Sequence, residues 1–191
     1  MRVYLAGPDV FLPAPERRGA ALKSVLAAYG LVGVFPLDPP PFPLDPAASA
    51  WTNPDLAPDL AEAYRIAATN EAHIASCQAL IAHLTPFRGP SADAGTVFEL
   101  GFARARGLRL WGWSNVATAF ATRSRAWAGG GMRDRAGMAI EDFGARDNLM
   151  IEGAIAAAGG RIEVENVAPA RLWTDLAALR RAAEGLSRIA S

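Results

Sequence analysis

The sequence contains very little cysteine and histidine. Cys77 is the single cysteine among 191 residues, so an intrachain disulfide and a cysteine-based zinc site are both excluded. The two histidines, His73 and His83, are too few to form a metal cluster. These absences predict a protein of a reducing, cytoplasmic compartment that holds no metal.

An excess of one charge and a long apolar run are also absent. Nineteen lysine and arginine residues balance nineteen aspartate and glutamate residues, so no long-range field attracts nucleic acid or anionic lipid. The apolar run MRVYLAG ends at Gly7-Pro8 and is too short for a signal peptide or a membrane span. We therefore expect neither a nucleic acid polymer nor a membrane as a partner.

Apolar runs and helical patterns alternate along the chain. Its length and its hydrophobic content of 51% fit one domain over residues 1–191. Short apolar runs predict strands at 2–6, 31–35, 79–84, 108–113 and 161–165. Helical periodicity predicts helices near 14–29, 59–76, 95–106, 147–158 and 169–187. This order is typical of an α/β three-layer domain with a mainly parallel sheet of about five strands.

Two stretches are predicted to be irregular. Residues 36–58 hold eight of the fourteen prolines, and residues 114–145 include three consecutive glycines. In a parallel α/β sheet, ligands bind beyond the carboxyl ends of the strands. We therefore expect the loops after the first, third and fourth strands to line a site.

Glu99 is an unusual residue in the stretch RGPSADAGTVFELGFARARG, because it lies between Phe98 and Leu100 without an evident counter-charge. Periodicity alone favours a solvent-facing Glu99, with the apolar stripe of its helix formed by Val97, Leu100 and Ala103. If Glu99 instead points into a cleft, its desolvation must be offset by hydrogen bonds or by a use. The chemistry open to a single carboxylate there is attack on an anomeric carbon, which forms a glycosyl ester.

Asp93 and Ser91 precede the predicted helix that carries Glu99, and either residue could cap it. Glu99 lies six positions after Asp93, which corresponds to about 9 Å along a helix axis. Asp93 is therefore better suited to capping or to holding substrate than to serving as the acid partner of Glu99. No residue that protonates a leaving group is evident from the sequence.

Three stretches, in this order, resemble the nucleoside 2-deoxyribosyltransferase family. They are VYLAGPDVF, ALIAHLTPFRGPSADAGTVFELGFARARG and EDFGARDNLMIEGAI, and the resemblance extends over roughly residues 1–160. It implies a flavodoxin-like, Rossmann-like domain that moves 2-deoxyribose between purine or pyrimidine bases by double displacement, without a cofactor. By the same resemblance, Glu99 is the nucleophile, Tyr4 orients it, and Asp93 contacts the sugar.

The expected ligands are small-molecule nucleosides and nucleobases. The segment with Asn148 and Met150 matches one that, in this family, reaches into a neighbouring subunit, which implies a homodimer or a higher homo-oligomer with shared sites. The residues expected to bind substrate are Gly7, Pro8, Asp9, Phe11, Gln78, Arg88, Gly89, Ser91, Asn148 and Met150.

Two positions depart from the family pattern. Many relatives carry an acid where this chain has Gln78 and an asparagine where it has His83. A glutamine can hydrogen-bond a base edge but cannot donate a proton as an acid does. Base preference and the source of the leaving-group proton therefore stay open.

Three functions are compatible with the sequence. The first is transfer of 2-deoxyribose in nucleoside salvage. The second is hydrolysis of 2′-deoxynucleosides or of their 5′-monophosphates, for which Arg88, Ser91 and a helix N-terminus would suit a phosphate. The third is a non-catalytic nucleotide-binding domain in which Glu99 is a solvated helix residue.

Overall fold

The computed structural model describes residues 1–43 and 57–189 and contains one five-stranded sheet. The strand order is β2-β1-β3-β4-β5, and all four neighbouring pairs are parallel. This order, with its reversal beside β1, is that of flavodoxin-like folds. The strands are β1 (Arg2–Ala6), β2 (Val32–Val34), β3 (Ala79–His83), β4 (Arg109–Ser114) and β5 (Ile162–Val164).

Helices cover both faces of the sheet, which makes a three-layer α/β domain. Side chains of α1 and α6 pack in one apolar cluster, and side chains of α2, α3 and α5 pack in the other. The helices are α1 (Pro15–Ala27), α2 (Pro58–Ala75), α3 (Ala94–Ala105), α4 (Phe120–Ala128), α5 (Leu149–Ala157) and α6 (Ala177–Arg188). The predicted fold class is therefore confirmed.

Successive side chains of β1 point to opposite faces of the sheet and so pack against different helical layers. Val3 and Leu5 join the cluster beneath α1 and α6, whereas Tyr4 and Ala6 face the layer of α2, α3 and α5. All four are buried. Tyr4 is thus aimed at the helix that carries Glu99.

The element boundaries differ from the sequence prediction in two regions. Helix α4 lies inside the stretch predicted to be irregular, because its short pattern gave little periodic signal. The predicted last helix is divided: Pro169–Arg171 forms a 3-10 turn, and α6 begins only at Ala177. Of the proline-rich region, residues 36–43 contain no helix or strand, and residues 44–56 lie outside the described residues.

Within the two described ranges, no helix is long and apolar enough to cross a membrane. Over the same ranges, no group of three or more histidine, cysteine, aspartate or glutamate side chains could hold a metal ion.

Candidate active site

Glu99 and Tyr4 form a hydrogen-bonded pair between the sheet and α3. The Tyr4 hydroxyl donates to Oε1 of Glu99 at 2.7 Å, and Tyr4 itself is fully buried. Glu99 is half-buried rather than solvent-facing, so the interpretation from periodicity alone was wrong. The helix turns Glu99 toward α2 and β1 while its neighbours Leu100 and Ala103 fill the core.

Asn70 of α2 is a second donor to Glu99. Its Nδ2 lies 3.2 Å from the same Oε1 atom that accepts from Tyr4. Donors from two elements, β1 and α2, therefore hold one oxygen of the carboxylate that α3 carries. Nothing local in the sequence pointed to Asn70, since the contact joins residues 29 positions apart.

The pKa values of Glu99 and Tyr4 are both raised. Burial raises the pKa of Glu99 from 4.5 to about 7; the charge of Asp93 adds to this rise, while the hydrogen bonds from Tyr4 and Asn70 oppose it. Burial, followed by the charge and hydrogen bond of Glu99, holds the pKa of Tyr4 well above 10. Tyr4 thus stays a protonated donor, and Glu99 exchanges its proton near neutral pH.

A cavity of about 230 Å³ opens beside Glu99 between α2 and α3. Glu71 lines it together with Glu99, so a second acidic residue borders the cavity. No local sequence pattern pointed to Glu71, which lies on a different helix from Glu99. The remaining lining residues are Ala67, Asn70, Ile74, Gly95 and Phe98.

Asp93 is the N-cap of α3. Its Oδ2 accepts from the backbone N–H of Thr96 at 2.9 Å and from the Thr96 hydroxyl at 3.1 Å. The geometry is that of a helix cap, one of the two uses that the sequence allowed for Asp93.

The two uses of Asp93 can be separated by substitution. Asp93→Ala should lower the free energy of unfolding by about 1 kcal/mol, whereas Asp93→Ser, which retains a capping oxygen, should keep it nearly unchanged. Denaturant titration of both variants measures this difference. If Asp93→Ser keeps the stability but loses turnover, Asp93 also contacts substrate; if it loses neither, Asp93 is a cap alone.

The loop after β1 is built around Asp9, whose buried side chain contacts both Arg18 and His83. Oδ1 of Asp9 lies 2.7 Å from Nε of Arg18, and Oδ2 lies 2.7 Å from Nδ1 of His83. Burial alone would raise the pKa of Asp9, but His83 and Arg18 together lower it to about 2. A Cβ at Gly7 would lie 2.7 Å from both Oδ2 of Asp9 and Cβ of His83, so this approach needs glycine. Pro8 begins a 3-10 turn in which Pro8 and Asp9 are buried and the last residue, Phe11, is exposed.

The contacts of His83 continue to Thr85. Nε2 of His83 lies 2.7 Å from Oγ1 of Thr85, and the His83 ring stacks on Trp113 with centroids 3.6 Å apart. The order Asp9, His83, Thr85 resembles a hydrolase triad in geometry. Thr85 is fully buried and accepts from the backbone N–H of Asn115, so this chain of contacts joins loops and offers no accessible nucleophile.

Arg88 lies over a pair of aromatic rings at the carboxyl end of the sheet. The Phe11 and Phe87 rings stack with centroids 5.4 Å apart, and Cζ of Arg88 lies 5.2 Å and 4.6 Å from their respective centroids. Arg88 adopts a positive φ of 54°. Gly89 follows in the same bend, and a Cβ added to it would have no neighbouring atom within 4 Å.

The loop before α3 is tied to the loop before α5 through Asp147. The Ser91 hydroxyl donates to Oδ1 of Asp147, and the Ala92 N–H donates to its Oδ2 at 3.1 Å. Asn148 caps α5 by accepting from the backbone N–H of Met150 at 3.0 Å, and the Met150 side chain is exposed. Ser91, Asn148 and Met150 all line a groove of about 840 Å³ on a different face of α3 from Glu99.

Gln78 is not brought to this group of residues. It precedes β3 at the amino end of the sheet, where its Oε1 accepts from the backbone N–H of Arg2 at 2.9 Å. The expected substrate residues follow the carboxyl ends of the strands, at the opposite edge. The expectation that Gln78 binds substrate came from the family resemblance, and the structure does not place Gln78 with the other expected residues, as its position directly before a predicted strand already indicated.

This protein is thus an α/β domain in which a buried tyrosine holds a carboxylate beside a cavity between two helices. The sequence model of the nucleoside 2-deoxyribosyltransferase family matches residues 3–150. The chain belongs to that family, which confirms the resemblance in its sequence.

Individual proteins are also similar to this chain. A 2-desoxiribosyltransferase from Leishmania mexicana is 30% identical, with a TM-score of 0.57 over 78% of this chain and 84% of that chain. A protein of Schizosaccharomyces pombe described as uncharacterized is 29% identical over 180 residues, or 85% of this chain and 81% of the other. A conserved protein from Enterococcus faecalis shares the fold, at 19% identity and a TM-score of 0.52 over 97% of this chain and 98% of that chain.

Proposed function

We propose that this protein transfers 2-deoxyribose from one nucleobase to another, in nucleoside salvage, through a covalent ester on Glu99. The observation that carries the proposal is the Tyr4 hydroxyl 2.7 Å from a Glu99 carboxylate that borders a cavity. Membership of the nucleoside 2-deoxyribosyltransferase family supports nucleosides and nucleobases as its ligands.

The proposed reaction has two displacements. Glu99 attacks C1′ as the C1′–N bond breaks, and the electron pair and a proton end on the departing base. The second base then attacks C1′ from the vacated side, which breaks the ester, returns the electron pair to Glu99 and gives overall retention. Without a 2′-hydroxyl, the oxocarbenium-like transition state is less destabilised by electron withdrawal.

Glu71 is the residue that we propose as the proton donor to the departing base. It shares the cavity with Glu99 yet lies on the facing helix, so a base bound between them could contact Glu71. In this proposal, Glu71 is the acid that was not evident from the sequence.

Replacing Glu71 should have an effect that depends on the leaving base. Glu71→Gln should slow cleavage of deoxyadenosine by about 10²-fold, the usual contribution of a general acid. The rate of cleavage of an N7-methylated purine deoxynucleoside should fall much less, because its base is cationic and leaves without a proton. Initial rates with both substrates measure the difference. An equal loss for both would contradict the assignment.

The choice between transfer and its alternatives is tested directly with deoxyinosine and adenine. Formation of deoxyadenosine is the result that we expect. Free deoxyribose in its place would mean hydrolysis, and the absence of both would mean a binding domain. Repeating the assay with the 5′-monophosphate tests whether a phosphate is wanted.

We also propose that copies of this chain associate. Five large apolar side chains within residues 127–150 are exposed over 63 to 73% of their surfaces, more than a free surface usually presents in one segment. They are rich in methionine and aromatics, as interfaces are. The five are Trp127, Met132, Met138, Phe143 and Met150.

Sedimentation should therefore find a dimer or a higher oligomer at micromolar concentration. Phe143→Asp should shift the equilibrium toward monomer and lower turnover together, if a partner completes each site. A fully active monomer would contradict the shared-site proposal.

A further inference from the structure

The two oxygens of the Glu99 carboxylate have different surroundings. Oε1 accepts from the Tyr4 hydroxyl at 2.7 Å and from Nδ2 of Asn70 at 3.2 Å. Among residues 1–43 and 57–189, no hydrogen bond reaches Oε2. One oxygen is thus fixed by two donors, whereas the described residues leave the lone pairs of the other available for chemistry.

Asn70 makes this contact at a structural cost. Its Oδ1 is buried and has no hydrogen-bond partner in the described part of the chain. An unpaired buried acceptor destabilises a fold, so an apolar side chain of similar size would suit this position at least as well for packing. A role of the Nδ2 contact in the reaction would explain why asparagine is present here despite the unpaired Oδ1.

We propose that Asn70 is a positioning residue that, together with Tyr4, holds Oε1 of Glu99 so that Oε2 attacks C1′, and that eases release of the sugar from the ester. This inference rests on the proposed function. Asn70 acts through Glu99 and does not itself exchange a proton.

The two donors matter most in the second displacement. In the first, Oε2 forms a bond to C1′ and the pair of the C1′–N bond leaves with the base. In the second, the incoming base nitrogen bonds to C1′, the C1′–Oε2 bond breaks, and its electron pair returns to the carboxylate while the base loses a proton. Charge therefore develops again on Oε1, where the hydrogen bonds from Asn70 and Tyr4 become stronger.

The titratable groups around Glu99 come from each packed element. They are Tyr4 on β1, Glu71 on α2 and Asp93 at the start of α3, and Asn70 is the donor among them that does not titrate. The hydrogen bond from Asn70 lowers the pKa of Glu99 against the effect of burial. Without it, the carboxylate should need a higher pH to ionise.

The test compares Asn70→Leu with Thr69→Val, a control on the same helix that loses a hydrogen bond to a backbone carbonyl rather than to Glu99. With a saturating donor deoxynucleoside and a saturating acceptor base, rapid quenching and mass spectrometry measure the fraction of enzyme that carries deoxyribose. For Asn70→Leu we expect this fraction to rise, the second step to slow by about tenfold or more, and the acid limb of kcat/KM to move to higher pH. Thr69→Val should change none of these. Asn70→Ala replaces Asn70→Leu if the larger side chain disturbs folding.

The outcomes separate this inference from the function on which it rests. If Glu99-dependent transfer occurs but a folded Asn70→Leu variant keeps the wild-type ester fraction and pH profile, the role of Asn70 is wrong. If the wild-type protein shows no Glu99-dependent cleavage at all, the proposed function itself fails. A purely structural Asn70 would lower the thermal midpoint and leave the pH limb in place.

Discussion

Glu99→Gln should lower turnover by about 10³-fold or more and, at pH 8, should make the protein more stable than the wild type. The loss of turnover follows because an amide cannot form the ester with C1′. The gain in stability follows because the amide oxygen can still accept from Tyr4 and Asn70, whereas the buried negative charge is gone.

The pH dependence of that gain is set by the raised pKa of Glu99. Between 4.5, its ordinary value, and about 7, the folded protein binds a proton that the unfolded chain has released. The free energy of unfolding therefore falls as the pH rises through this window. Above it, the ionised carboxylate costs about 3 kcal/mol, and Glu99→Gln removes this cost.

Denaturant titrations at pH 5 and pH 8 measure the effect, with Glu184→Gln as the control. Glu184 is on the exposed side of α6 and pairs with Arg188, so its replacement should have little effect at either pH. In the wild type, kcat/KM should rise as the pH increases through about 7, because the nucleophile must be ionised. A stability gain that is equal at both pH values would contradict the raised pKa.

Asp9→Asn should lower the free energy of unfolding by about 3–5 kcal/mol, because it leaves Arg18 and His83 without the buried carboxylate that both contact. The same group controls acid stability in the wild type. The pKa of Asp9 is about 2 in the folded protein and 3.8 ordinarily. The stabilisation from Asp9 is therefore fully present above pH 3.8 and is lost as the pH falls through about 2. Its size is about 2 kcal/mol.

Glu62→Gln is a suitable control for Asp9→Asn. Glu62 pairs with Arg65 at 2.5 Å on the exposed surface of α2, where water screens the interaction. Thermal unfolding of both variants should therefore show a large drop for Asp9→Asn and none for Glu62→Gln. Similar midpoints for the two would mean that the contacts of Asp9 with Arg18 and His83 contribute little to stability.

The sequence was sufficient for the sheet and for most helices. Apolar runs such as ALIAH and RVYLA, alternating with helical patterns, predicted five strands near their observed positions, because buried parallel strands are continuously apolar. The short helix α4 and the break before α6 were missed, since a single short helix gives little periodic signal.

The site was less accessible to sequence reasoning. Periodicity placed Glu99 toward solvent, because it counts the residues on one helix and cannot include a partner from another element. The contacts that decide the position of Glu99 come from Tyr4, 95 positions away, and from Asn70, 29 positions away. Family resemblance supplied Tyr4, but Asn70 and Glu71 emerged only when α2 was seen to pack against α3.

The most direct test of the account is to detect the ester on Glu99. The protein is mixed with a deoxynucleoside alone, quenched in acid and digested, and the peptides are analysed by mass spectrometry. We expect one deoxyribosyl group on the peptide that contains Glu99, and its disappearance when a second base is added before quenching. Base release at full rate with no labelled peptide, or with the label on another residue, would contradict covalent catalysis by Glu99.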